Sequence, residues 1–184
     1  GIKHTAGFLH LITSTPDFKP KFYSKDKDFE RIKDYLSLHK DEFIFSLDYQ
    51  DFENIKNVMI LNAWIDEWRE AKILEVFDIE PGDLYRMIES ADWLLYSCQE
   101  IAKLINRVDL LNEIYNLRLR VKEGVKEELL NLISLKGIGR VRARILFNAG
   151  YTDLEKLSKA SEKDLASLPK IGNSLAKKIL EQLK

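Results

Sequence analysis

L-I-S-L-K-G-I-G-R-V-R-A-R-I-L (132–146) returns thirty-three residues later as L-A-S-L-P-K-I-G-N-S-L-A-K-K-I (165–179). Leu132/Leu165, Ser134/Ser167, Leu135/Leu168, Ile138/Ile171, Gly139/Gly172 and Ala143/Ala176 match in type. Each copy reads as a helix, a glycine-bearing hairpin and a second helix. Between them N-A-G-Y-T-D-L-E-K-L (148–157) predicts a helix end at Gly150 and a short linking helix. Two such units of about sixty residues in all make a small core, marginal unless the copies pack on each other or on a neighbouring domain.

The first hairpin, Lys136-Gly137-Ile138-Gly139, has a specific chemical logic. Two glycines let the backbone turn sharply and approach a phosphate with no Cβ in the way. Ile138 plugs the turn into the core. Free N–H groups at the start of the next helix, with the helix dipole, face an anion. Lys136, Arg140, Arg142 and Arg144 add cationic reach, so the motif predicts a grip on the phosphate backbone that ignores base identity. The competing reading is a structural αα-hairpin used for protein contacts. The second hairpin departs from the pattern: Lys170 stands at the first glycine's place and Asn173 at the first arginine's, while Gly172 is retained. Lys170 can meet a phosphate with its side chain, so this hairpin is expected to be the weaker contact or a mainly structural partner.

Upstream, apolar residues recur at three and four nearly throughout, as in Phe8-Leu11-Ile12, Phe29-Ile32-Leu36 and Phe52-Ile55-Met59-Ile60-Ala63. Alternating β-branched runs are missing. An all-α chain is expected: a helical bundle over residues 1–124, then the tandem helix–hairpin–helix domain over 125–184, with the border at Gly124. Thr15-Pro16-Asp17 breaks the first helix from the second. Pro81-Gly82-Asp83 punctuates again, with Asp83 expected as the N-cap of a long helix to about Ile105 and Gly82 closing the preceding turn. On that helix Leu84, Ile88, Ala91, Leu95, Cys98 and Ala102 fall within about 40° of one line, the core stripe. Trp93 falls at about 180° and Arg86 at about 200°, on the polar face. A flat ring and a charge two turns apart suit a base and a phosphate. A central helix burying both faces would instead make Trp93 ordinary core. Trp64 and Trp68, at i,i+4 on an earlier helix, read as core or helix-pairing residues. Glu70–Trp93 has a helix–turn–helix look, but the second helix is too long and its first turn is not basic, against major-groove reading.

The composition sets limits. The 184 residues carry 29 Lys+Arg and 30 Asp+Glu, a net charge of −1, which taken whole is not the profile of a nucleic-acid binder. The total is a cancellation: residues 1–124 hold 17 Lys+Arg and 23 Asp+Glu, a net of −6, while residues 125–184 hold 12 and 7, a net of +5. An acidic bundle can hold a strand only through a few placed contacts, which puts the burden on Arg86 and Trp93. One cysteine excludes an internal disulfide, and three histidines far from it in sequence make a metal site improbable. No apolar run is long enough to span a membrane, no signal peptide is visible and a cytoplasmic location is expected. G-x-x-x-x-G-K-[ST], H-E-x-x-H and G-x-S-x-G are all missing, so the chain itself is expected to be neither an enzyme nor a cofactor binder. It opens on Gly1 rather than Met and is read as a fragment or processed chain.

G-I-G-R-V-R-A-R-I-L-F-N-A-G (137–150), G-F-L-H-L-I-T-S-T-P-D (7–17), P-G-D-L-Y-R-M-I-E-S-A-D-W-L (81–94) and K-E-G-V-K-E-E-L-L-N-L (122–132) together resemble the archaeal Hjm-type DNA helicases, the Ski-like branch of superfamily two. The resemblance covers most of the chain. It implies the C-terminal region of an ATP-dependent 3′-to-5′ DNA helicase: a ratchet bundle, then a helix–hairpin–helix domain, following RecA-like and winged-helix domains that would hold ATP and magnesium. It implies that Arg86 and Trp93 contact bases of the translocating strand. It also implies that the hairpin from Gly137 to Arg144 grips the emerging strand as a clamp or brake, in replication-fork repair and recombination. The partner would be single-stranded or forked DNA and the chain a monomer. A related bundle occurs in Sec63-like modules of RNA helicases, which leaves RNA open.

Overall fold

The structure, a computed structural model, describes residues 3–44 and 46–184, without the side chains of Tyr49 and Gln50. The described residues form α-helices, short 3-10 turns and loops, with no strand among them. None of these helices is long and apolar enough to cross a membrane. The chain divides into two compact units, Gly1–Gly124 and Val125–Lys184.

The first unit contains α1 (Thr5–Ser14), α2 (Phe29–His39), α3 (Tyr49–Ile65), α4 (Glu70–Phe77), α5 (Pro81–Leu104) and α6 (Val108–Glu123). α3 is its axle and packs on all five of the others. From Ile55 to Ile65 every residue of α3 is buried, so the helix is enclosed on all sides rather than amphipathic. Its buried polar side chains are therefore paired. Lys56 Nζ meets Asp28 Oδ2 at 3.3 Å, and Asn62 accepts from Tyr35 Oη and donates to Asp66. Asn57 holds both the N–H and the carbonyl of Phe22. α5 and α6 form an antiparallel pair closing one side.

Two local expectations are corrected. The N-cap of α5 is Glu80, not Asp83. Pro81 takes the first helical position, where its missing N–H costs nothing and its fixed φ suits the helix. Asp83 becomes the third residue, its carboxylate accepting the Glu80 N–H at 3.3 Å in a capping box. The preceding turn is closed by Asp78 in the left-handed region (φ 57°), not by Gly82. Likewise Trp64 and Trp68 do not share a helix. α3 ends at Ile65, Glu67 is left-handed (φ 64°), and Trp68 lies beyond, stacked on Phe77 at 6.3 Å. Trp64 is core, its indole N–H donating to the Val121 carbonyl at 2.8 Å.

The second unit contains α7 (Leu130–Ile133), α8 (Arg140–Asn148), α9 (Leu154–Ser158), α10 (Glu162–Ala166) and α11 (Gly172–Gln182). The repeat is its core. Leu132 and Leu165, Ile138 and Ile171, Ala143 and Ala176, Leu146 and Ile179 are equivalent pairs, and all eight are buried in one cluster. The two helix–hairpin–helix copies thus cover each other's apolar faces, which makes a domain of this size tenable. α9 and α10 are capped by Asp153 and Ser161, whose side chains accept backbone N–H groups at 2.8 and 3.0 Å.

Candidate nucleic-acid interface

α5 shows a divided surface. Leu84, Met87, Ile88, Ala91, Leu94, Leu95 and Ala102 are buried. Cys98 is half-buried, and burial pushes its thiol pKa up, which leaves it a poor nucleophile. On the opposite face the Trp93 ring is 47% exposed and the Arg86 side chain 66% exposed. They stand about 10 Å apart along the axis. Arg86 is oriented by its own first turn: one terminal nitrogen meets Asp83 Oδ1 at 2.6 Å and Nε donates to the Gly82 carbonyl at 3.3 Å. The capping-box carboxylate that starts the helix therefore also aims the arginine. Arg86 lines a cleft of about 600 Å³ with Pro16, Phe18, Lys19, Lys21 and Tyr23. None of these five is marked by helical periodicity, since the segment is a loop that bends at Pro20; the signal that could have found them is the basic and aromatic cluster Lys19-Pro20-Lys21-Phe22-Tyr23.

In the second unit, Gly137 takes φ +85°, a left-handed conformation that L side chains rarely adopt, and a Cβ there would come within 2.9 Å of Leu175 Cδ1, the movable end of a side chain. Gly139 differs: its backbone is extended (φ −94°, ψ −173°) and a Cβ would meet nothing within 4 Å. Nothing inside the domain requires a glycine there. The bare backbone instead leaves an open approach to the N-terminus of α8, a nine-residue helix whose first N–H groups lack intrahelical acceptors. Ile138 is buried beneath.

The cations around this turn do different things. Arg142 is exposed, yet its Nε donates to the Lys170 carbonyl at 2.8 Å and Nη1 to the Gly137 carbonyl at 3.0 Å. It braces one hairpin against the other. Arg144 pairs with Glu128 at 2.8 Å and lies over the Phe147 ring. Arg140 opens α8 and is half-buried. Lys136 is fixed through its backbone, with Gln182 accepting its N–H and donating to its carbonyl. Its side chain lines a groove of about 710 Å³ with Arg142, Ser174, Leu175 and Lys178. In the second hairpin Lys170 adopts φ +62°, the left-handed conformation of its counterpart Gly137. Gly172, however, is left-handed (φ +66°) where Gly139 is extended, and α11 begins one position earlier in the repeat register than α8. The two hairpins are alike in sequence and unlike at the helix start.

The described residues thus form an all-α bundle with Arg86 and Trp93 exposed on one face of α5, and a unit of two helix–hairpin–helix copies packed on each other. The model of archaeal helicase domain 4 matches residues 6–124 and that of the SAM-like helix-hairpin-helix tandem matches residues 129–184. The chain belongs to the archaeal helicase domain 4 family, with a helix–hairpin–helix tandem following that domain. It is similar to the ATP-dependent DNA helicase Hel308 of Pyrococcus horikoshii, 43% identical over 182 residues that cover 96% of this chain and 25% of the relative. The Hel308 of Pyrococcus abyssi is 41% identical with the same coverage. That of Methanocella arvoryzae is 38% identical over 186 residues, again 96% and 25%. The chain thus spans about a quarter of the length of these relatives.

Proposed function

We propose that the chain is the strand-holding C-terminal region of an ATP-dependent 3′-to-5′ DNA helicase. It would have no catalytic chemistry of its own; ATP and magnesium would be held by RecA-like domains of the parent protein. The bundle offers a ratchet contact through α5, with Trp93 stacking on a base and Arg86 reaching a base or phosphate. The tandem unit offers a backbone clamp built on Lys136, Gly137, Gly139 and the start of α8, with Lys170 and Gly172 as the lesser contact. The observation that carries this reading is the half-exposed Trp93 in the middle of a helix whose other side is core.

Stacking on an aromatic contributes about 1–3 kcal/mol per base. Trp93→Ala in the full-length helicase should therefore slow unwinding of a forked duplex by about fivefold to a hundredfold while leaving thermal stability nearly unchanged. Unwinding at the wild-type rate would rule out the ratchet role. A second reading, a protein-interaction scaffold, is favoured by the internal use of Arg142 and Arg144. A gel shift with single-stranded and forked DNA separates the two, because a scaffold gives no shift at low salt.

A further inference from the structure

The non-helical segment from Phe18 to Tyr23 bends at Pro20 and presents Lys19, Pro20 and Lys21 together to the cleft beside Arg86. Phe18 is fully buried and Phe22 packs on the core, while Lys19, Lys21 and Tyr23 line the cleft shared with Arg86. Its backbone is fastened at two points. Ser90 of α5 donates to the Lys19 carbonyl at 2.7 Å and its hydroxyl accepts the Lys19 N–H at 3.4 Å. Buried Asn57 of α3 does the same for Phe22, accepting its N–H at 2.8 Å and donating to its carbonyl at 3.0 Å. A segment without helical bonds is thus fixed against the exposed face of α5, one turn from Arg86.

The charges there are unusual for this unit. Residues 1–124 carry a net of −6, and the nearby Lys25 and Lys27 are both paired with Asp78. Lys19 and Lys21 have no ion-pair partner among the described residues. Arg86, by contrast, already has Asp83 beside it. The net positive charge of the cleft therefore comes from the two lysines, and partial burial lowers the pKa of Lys21. Tyr23, 66% exposed, adds a flat ring at the rim.

We propose that Lys19, Lys21 and Tyr23 form, with Arg86, a phosphodiester-binding subsite for single-stranded DNA, alongside the α5 stacking position. The lysines hold successive phosphates and Tyr23 offers its ring to a base. This rests on the reading of α5 as a strand contact and extends it to a segment outside the helix. The fastening by Ser90 and Asn57 means that little order has to be gained on binding.

The test is amide chemical-shift mapping of the isotope-labelled 184-residue chain with a short oligothymidylate, together with salt-dependent affinities for wild type, Lys19→Gln/Lys21→Gln, Arg86→Ala and Trp93→Ala. Shifts at Lys19–Tyr23 and Ser90 are expected. The double variant should bind about tenfold more weakly near 0.1 M salt, its salt slope shallower by about 1.4, at 0.7 per lost phosphate contact. Its unperturbed amide spectrum would show the fold intact, since neither lysine is in the core. If Arg86→Ala and Trp93→Ala weaken binding while the double variant keeps wild-type affinity and slope, the subsite is wrong and the α5 contact stands. If neither α5 nor the loop responds to the oligonucleotide, both are wrong.

Discussion

Gly124 shows how one residue can be fixed by its surroundings. It ends α6 in the left-handed region at φ +66°, and a Cβ there would lie 2.5 Å from Cε2 of Trp64. That indole is itself held by the Val121 carbonyl three residues before. Gly124→Ala meets two penalties: about 1–2 kcal/mol for the left-handed backbone and about 1–3 kcal/mol for overpacking against a ring that cannot retreat. The expected result is a loss of about 2–5 kcal/mol in denaturant titration followed by tryptophan fluorescence. A wild-type midpoint would mean that Trp64 is not locked. Glycine at this position was legible as a boundary in the sequence, but its tie to Trp64 was not, because sixty residues separate the two. Arg142 is the same lesson in a cation. Its place in an arginine-rich helix start suggests phosphate, and only the folded pair of hairpins supplies the two carbonyls that occupy it.

Within the first hairpin, the two glycines separate fold from function. Gly137 is favoured by its left-handed φ, whereas nothing within the domain favours glycine at Gly139. Gly139→Ala should therefore cost the fold no more than about 1 kcal/mol, the difference between glycine and alanine at an N-cap. The same methyl would obstruct a phosphate approaching the start of α8, so single-strand affinity should fall several-fold by fluorescence anisotropy while thermal unfolding barely moves. Unchanged affinity would remove Gly139 from the clamp. α5 teaches the complementary point. Its length, its core stripe and the opposition of Arg86 and Trp93 follow from 100° per residue. Its true start at Glu80 does not, because proline's preference for the first helical position outweighs aspartate's for the cap.

For the whole molecule, the net charge of −1 hides an acidic bundle and a basic tandem unit. Broad attraction for a polyanion belongs to residues 125–184, and the bundle must rely on placed groups. Affinity for single strands should fall steeply with rising salt. Lys136→Gln together with Lys170→Gln should lower the magnitude of that slope by about 1.4, while a slope equal to wild type would sink the clamp. Helical character, the repeat that builds the second core and the imbalance of charge were all readable in the amino-acid order. These are written in spacing and composition along single elements. It took tertiary packing to settle that Trp93 is open, that Arg142 braces the hairpins, and that Lys19 and Lys21 lie beside Arg86. Those facts depend on contacts between residues far apart in the chain, such as Lys19 with Ser90, seventy-one positions away. Local periodicity carries no information about which distant surface a side chain will meet.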